Sequence, residues 1–300
     1  MLIKIKRYLR EPRFALGCDL ISRHPDWMSD RFWIETLYRL RFGEKLNLKN
    51  PKSFNEKLQW LKLYDKNPLY PVIVDKITAK DWVAKRIGQE YINPILNIYD
   101  SVDDISIDNL PESFVLKCNH DSGSAIICRD KRQFDLVAAK KILDNALQHN
   151  YFYESREWPY KGISPKVFTE RFLGEGLIDY KFFTFNGKVR LLLVITNGGS
   201  ENHGRFYDFY DSDFRHMDVT HGHPNSAFPP TKPQRFNEMK DLAETLGQGF
   251  PHVRVDFYDT PSGVFFSEMT LYSSGGLVPF DPPKFDLILG KYLHLPMDAD

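Results

Sequence analysis

The segment VRVDFYDTPSGVFFSEMTLYSSGG, residues 253–276, sets Asp256 and Glu268 inside runs of Val, Phe and Met that otherwise have the character of buried strands. Between the runs, Asp259-Thr260-Pro261-Ser262-Gly263 is rich in turn formers, so the segment reads as a β-hairpin. A turn centred on Ser262 puts Asp256 directly opposite Glu268; one centred on Pro261 puts Glu268 opposite Arg254 and diagonal to Asp256. Either register gathers Arg254, Asp256, Glu268 and Thr270 on one face and Val253, Val255, Met269 and Leu271 on the other. The chain must therefore build a sheet with one apolar face and one that carries charge. Two like charges so close repel unless a cation lies between them. Oxygen donors suit a hard ion, which makes this face a candidate magnesium site with positions left for phosphate. A solvated face on which Arg254 pairs one carboxylate satisfies the same sequence.

A second polar interruption lies in FVLKCNHDSGSA. Lys117 stands in an apolar strand just before a small polar loop, where Ser122, Gly123 and Ser124 can offer backbone N–H groups to phosphate oxygens. The spacing is not that of a Walker A loop, and an ordinary turn beside a snorkelling lysine also fits.

Around these features the pattern is mixed. Residues 25–90 read as largely helical: Phe32, Trp33, Leu37 and Leu40 share a helical spacing, and Ser53 with Glu56 forms a capping box ahead of Leu58, Leu61 and Leu63. A third helix is expected over 75–87. From about residue 91 short strands take over, at 114–117, 125–128, 166–170, 180–185 and 188–195, with an amphipathic helix over 134–149. The last two strands flank Asn186-Gly187, the strongest two-residue hairpin signal.

Composition narrows the functional classes. Three hundred residues with 42% hydrophobic content supply one large domain or a few intimate subdomains, and no repeat or low-complexity linker divides them. Forty basic and forty acidic residues give no net charge and no general reason to bind nucleic acid. Cys18, Cys118 and Cys128 lack metal-type spacing and leave an odd thiol, which favours the cytoplasm. No apolar stretch is long enough for a transmembrane helix. The start, MLIKIKRYLREP, leaves open a weak membrane-surface helix, a peripheral contact, beside an ordinary N-terminal helix.

Taken in order, Lys76, Lys117 with its loop, TERFLGEG around Glu170, DYKFF around Lys181, and the pair Asp256 and Glu268 form a series that resembles the ATP-grasp superfamily. The wording DKITAKDWV, FVLKCNHDSGS, FTERFL, DYKFFTFNGKVRLL and RVDFY…FFSEMT is most similar to its TupA-like branch, associated with bacterial surface-polysaccharide synthesis. The resemblance implies an α/β protein of ATP-grasp fold, with a helical N-terminal subdomain over 1–110, a central lid over 111–170 and a C-terminal catalytic subdomain over 171–300. ATP and Mg2+ are the implied cofactors. The helical Lys76 and the strand Lys117 match the lysines on the α and β phosphates, and His120 to Ser124 match the closing loop. Residues 169–173 match the adenine-binding strand, with Glu170 and Leu173 as contacts; Asp179 is the ribose candidate. Asp256 and Glu268 match the metal-binding acids. The family often has Asn two residues after that Glu, whereas Thr270 stands here and offers a hydroxyl.

The hairpin at Asn186-Gly187 would set Arg190 opposite Phe183 and diagonal to Lys181, so that Lys181, Arg190 and Arg254 make a cationic set near the γ-phosphate. Such a set stabilises a transferring phosphoryl group; pairing with surface acids is the plainer use. The implied reaction joins a carboxylate, a sugar acid of a glycan precursor, to an amine through an acyl phosphate. Two other readings remain at this level: a glycosyltransferase, for which only Asp211-Ser212-Asp213 offers D-x-D letters, and a nucleotide-binding scaffold. His216, His221 and His223 have spacing that could suit zinc, but they lack thiols or a paired acid. Tyr151, Phe152, Tyr153, Trp158 and Tyr160 fit packing or the stacking of a sugar.

Overall fold

The computed structural model describes residues 28–197 and 204–296. The N-terminal segment MLIKIKRYLREP and Cys18 lie outside them. In chain order the structure has α1 (Asp30–Phe42), α2 (Phe54–Tyr64), α3 (Tyr70–Val74), α4 (Thr78–Ile87), β1 (Ile95–Tyr99), β2 (Phe114–Cys118), β3 (Ile126–Cys128), α5 (Leu136–Leu147), α6 (Phe152–Ser155) and β4 (Val167–Arg171). It continues with β5 (Asp179–Phe185), β6 (Lys188–Asn197), β7 (Arg205–Tyr210), β8 (His216–Met217), β9 (Thr220–His221), α7 (Phe236–Leu246), β10 (His252–Thr260), β11 (Gly263–Thr270), β12 (Phe280–Asp281) and α8 (Lys284–Tyr292).

Local chemistry sets the helix ends. The Ser53 hydroxyl accepts from the Glu56 N–H while the Glu56 carboxylate accepts from the Ser53 N–H at 3.1 Å, the expected capping box of α2. In the third expected helix a local side-chain turn at Asp75 moves the boundary. Asp75 Oδ1 accepts from the Ile77 N–H at 2.8 Å, so α4 begins only at Thr78 and Lys76 sits in the turn before it, not on the helix. The first helix buries Trp33, Ile34, Leu37 and Tyr38, while Phe32 faces outward.

The strands form two antiparallel sheets and a short two-stranded one. The smaller main sheet has the order β1-β4-β2-β3; the larger has the order β11-β10-β5-β6-β7-β8; β12 pairs with β9. The architecture is thus mixed α and β, with antiparallel sheets. Its large core joins Phe54, Leu58 and Leu61 of α2, Ile73 and Val74 of α3 and Val83 of α4 to the apolar side chains of β5, β6, β10 and β11. A separate core under the four-stranded sheet combines Tyr99, Leu116, Cys118 and Val167 with Leu143 of α5.

Within the span 1–110, expected to be a helical subdomain, the described residues serve both sheets. The helices of residues 54–87 bury their apolar faces against the large sheet, and β1 from the same span joins the small sheet. Short strands cannot satisfy their backbone alone, so β1 goes where a ladder partner exists, at Phe168 and Val167 of β4.

Two bulges fix the registers that matter. In the β10–β11 hairpin Thr260 pairs with Gly263 across a two-residue Pro261-Ser262 turn, which alone would misalign the acids; a bulge after Asp256 restores Asp256 opposite Glu268 and Arg254 opposite Thr270. In the β5–β6 hairpin Asn186 and Gly187 both have positive φ, 48° and 75°, as a type I′ turn requires. There a bulge between Phe183 and Thr184 brings Leu191, not Arg190, opposite Phe183.

Candidate active site

On the polar face of the large sheet, β10 lies between β5 and β11, so Lys181, Asp256 and Glu268 line up across three strands. Arg254 binds Asp256 through two parallel contacts, Nε to Oδ1 at 2.8 Å and Nη2 to Oδ2 at 2.7 Å, and Nη2 also donates to Glu268 Oε1 at 2.8 Å. Lys181 Nζ lies 2.5 Å from Asp256 Oδ2, 2.6 Å from Asp179 Oδ2 and 4.0 Å from Glu268 Oε1. The two carboxylates are therefore neighbours because a guanidinium and an ammonium lie between them. Thr270 Oγ1 contacts Glu268 Oε1 at 3.5 Å.

The electrostatics follow from this packing. Asp256 is fully buried, and burial pushes its carboxyl upward against the pull of Arg254 and Lys181. Burial also works against ionisation of Glu268, yet Lys181, Arg254 and Lys76 hold it down at about 2. Burial works to depress Lys181 as well, but Asp256 and Asp179 raise it above the ordinary lysine range. Asp179 Oδ1 is buried without a partner, an unsatisfied acceptor beside this network.

A second charged cluster forms between α4 and the small sheet. The Glu170 carboxylate receives Lys80 Nζ on Oε1 and Lys117 Nζ on Oε2, both at 2.6 Å, and Lys80 also donates to the Asn93 carbonyl at 2.6 Å. Burial works to depress Lys117, but Glu170 first and Glu268 of the other sheet hold it above its ordinary value. Lys76 donates to the Asp121 carbonyl, and its effect on Glu268 brings it into the same electrostatic field. Sequence reading missed Lys80, although its place in DKITAKDWV, four residues after Lys76, was the available signal.

The expected phosphate loop divides into a tip and a base. Ser122 and Gly123 are exposed, with φ +105° at Gly123. Ser124 is buried: its hydroxyl donates to Asp121 Oδ1 at 2.8 Å and accepts from the Cys118 N–H at 3.0 Å. His120, expected in the closing loop, packs against α5. It is buried, and its Nε2 lies 3.2 Å from the Ala146 carbonyl near the end of α5 and 3.0 Å from that of His149 just beyond it. Asn119 ties the loop base to the cap of α4 through Asp75 Oδ2 at 3.0 Å.

The Glu170 main chain sits inside the sheet, paired with Ile95 and Val115, so its backbone is committed to the ladder and its carboxylate to lysines; Leu173, half-buried, lies beyond the strand end. Asp179 binds Lys181. Arg190 leaves the cationic set: the bulge turns it to the surface, with its guanidinium 5.3 Å from the centre of the Tyr292 ring. The three histidines part company, His216 to Asp208 at 3.1 Å, His221 onto Phe280 and His223 onto Tyr207. Among the described residues no group of three or more His, Cys, Asp or Glu is arranged to hold a metal. In the D-x-D letters, Asp211 Oδ1 accepts from the Asp213 and Arg215 N–H groups and so shapes a turn. No helix of the described residues is long and apolar enough to cross a membrane.

The chain matches the family model described as TupA-like ATP-grasp over residues 56–294. No curated protein sequence matches it. Similar solved structures include a D-alanine–D-alanine ligase from Bacillus anthracis, at 15% identity and TM-score 0.44, with 70% of this chain and 62% of that chain covered. An L-amino acid ligase from Bacillus licheniformis gives 13% identity and TM-score 0.44 over 74% and 49%. The ATP-grasp ligase PsnB, in complex with a phosphomimetic variant of its minimal precursor, Mg and ADP, gives 12% identity and TM-score 0.42 over 80% and 62%. The chain thus spans between 49% and 62% of the length of these three structures.

Proposed function

The chain belongs to the TupA-like ATP-grasp family, and on that premise we propose that it is an ATP-dependent carboxylate-amine ligase of the cytoplasm. The observation that carries the reading is the polar sheet face on which Lys181, Arg254, Asp256, Glu268 and Thr270 converge, within electrostatic reach of Lys76 and Lys117.

In this reading a substrate carboxylate oxygen attacks the γ-phosphorus of ATP, the bond to the bridging oxygen breaks, and ADP leaves with an acyl phosphate formed. An amine then attacks the acyl carbon, phosphate departs and the amine gives up a proton, leaving an amide. Lys76, Lys80 and Lys117 neutralise the nucleotide phosphates, and the exposed Ser122-Gly123 tip closes over them. Arg254 and Lys181 stabilise the charge on the transferring phosphoryl group from a site that needs little reorganisation. Asp179 orients Lys181. The donor set of Asp256, Glu268 and Thr270 is all oxygen, beside the unpartnered Asp179 Oδ1, and fits a hard cation. Glu268 and Thr270 would hold magnesium, which would supply charge screening for the phosphates; Asp256, whose oxygens are held by Arg254 and Lys181, would contribute an oxygen only in exchange for one of those contacts. The substrate pair is a sugar carboxylate, a uronic acid of a surface-polysaccharide precursor, and an amino acid or small amine.

The test is to incubate the protein with MgATP, pooled uronic acids free or nucleotide-linked, and pooled amino acids, and to quantify ADP and AMP. ADP that requires both pools and disappears in Glu268→Ala supports the reading. AMP refutes the acyl phosphate, and failure to bind MgATP refutes the nucleotide site.

A further inference from the structure

Apart from the polar sheet face there is a fully buried lysine that the proposed chemistry does not use. Lys62 of α2 is 1% exposed, and all three of its donors are committed: to Gln59 Oε1 at 3.0 Å, the Ser155 carbonyl at 2.8 Å and the Gly275 carbonyl at 2.6 Å. Gln59, one turn earlier, spends both of its N–H donors on the same segment, the Gly275 carbonyl at 3.0 Å and the Gly276 carbonyl at 2.8 Å. The countercharge is Glu157, itself buried, whose Oε1 accepts from the Ser155 hydroxyl at 2.6 Å and whose charge is felt by Lys62.

Burying an ammonium costs several kcal/mol unless geometry repays it, so the object it holds is informative. That object is a turn with three successive residues in the left-handed region, Ser274 at φ 51°, Gly275 at 63° and Gly276 at 60°. Such a conformation persists only where its surroundings impose it, above all at the non-glycine Ser274. The turn is also closely wrapped: a Cβ on Gly276 would stand 2.5 Å from Gln59 Nε2 and 3.0 Å from Leu58 Cβ. Ser273, immediately before the turn, accepts from Arg254 Nη1 at 3.4 Å. A chain of contacts therefore runs from Lys62 and Gln59 through the strained turn to Ser273 and on to the guanidinium between the two carboxylates.

We propose that Lys62, together with Gln59, is a positioning residue for γ-phosphate recognition, fixing the 274–276 turn so that Ser273 holds Arg254 at the angle from which it meets the terminal phosphate. The inference rests on the proposed ATP site. A purely apolar replacement would leave the Ser155 carbonyl and Gln59 Oε1 without their donor and Glu157 without its countercharge, which releases the turn.

The experiment compares calorimetric Kd values for MgADP and for the magnesium complex of a non-hydrolysable ATP analogue, whose ratio isolates the γ-phosphate. In Lys62→Met and, as a milder second variant, Gln59→Met, the MgADP affinity is expected to stay within about twofold while the preference for the triphosphate falls about tenfold, the cost expected of a displaced cation. Ser273→Ala should lower the same preference, and the Lys62→Met/Ser273→Ala double variant should lose little more than either single one. An unchanged triphosphate preference in a folded variant overturns the inference, as does full additivity in the double variant. Should Lys62→Met fail to fold, Gln59→Met decides by the same ratio. Wild-type protein that binds neither nucleotide overturns the ATP site itself, and with it this role for Lys62.

Discussion

Replacing Glu170 by Gln keeps shape and removes one charge from a buried cluster of three, so its cost can be worked from the geometry. Glu170 is 5% exposed and meets two ammonium groups at 2.6 Å, one of them, Lys80, equally buried. At an effective dielectric near 20, unit charges about 4 Å apart attract by about 4 kcal/mol. The desolvation of Lys80 opposes this, and the partial exposure of Lys117 screens its share. Removing the shared anion leaves two cations facing each other, and loss of one partner from a buried pair costs about 3–5 kcal/mol. For a chain of 300 residues, with an unfolding entropy of about 0.6 kcal/mol/K, the corresponding fall in melting temperature is about 5–8 °C. Thermal unfolding followed by circular dichroism, with and without MgATP, is the assay. MgATP should raise the melting temperature of Glu170→Gln more than that of the wild type, because phosphate supplies the missing anion. A variant that melts within about 1 °C of the wild type would show that Glu170 does not hold the two lysines.

Acid should weaken the fold through buried neutral histidines. Burial lowers His252 to about 3 and His221 to about 4, below the unfolded value, so the unfolded chain binds more protons between those values and about 6.5; stability is lost as pH falls through that window. At pH 5 each histidine accounts for about 2 kcal/mol of that loss, and urea titrations of His252→Gln at pH 7.5 and 5 should show a pH difference smaller by that amount; an unchanged difference would refute it. Arg190→Ala should leave MgATP affinity unaltered in calorimetry and cost under about 1 kcal/mol, since its partner is the Tyr292 ring; a tenfold loss of affinity would return Arg190 to the site. Glu268→Gln should abolish the magnesium dependence of nucleotide binding while leaving a weaker, metal-independent affinity from the lysines; retained magnesium dependence would move the metal elsewhere.

The features legible in the residues alone were local. The capping box at Ser53 and Glu56, the Asn186-Gly187 turn and the polar stripe of Arg254, Asp256, Glu268 and Thr270 each depend on residues close in the chain, or on a strand period of two, and each formed as the residue types require. The ordered motifs likewise led from sequence to family. Tertiary structure decided whatever depends on register or on a partner far along the chain. One bulged residue swung Arg190 onto Tyr292, and another aligned Asp256 with Glu268, because inserting a residue into one strand flips the facing of all that follow. His120 of the loop motif packs beside the end of α5, with its Nε2 against the Ala146 and His149 carbonyls 26 and 29 residues along the chain. Lys80 and Lys62 gained their meaning only once Glu170, Ser155 and Gly275 had been folded beside them. The burial of Lys62 has no local signature, because the carbonyls of Ser155 and Gly275 that receive it lie 93 and 213 positions away.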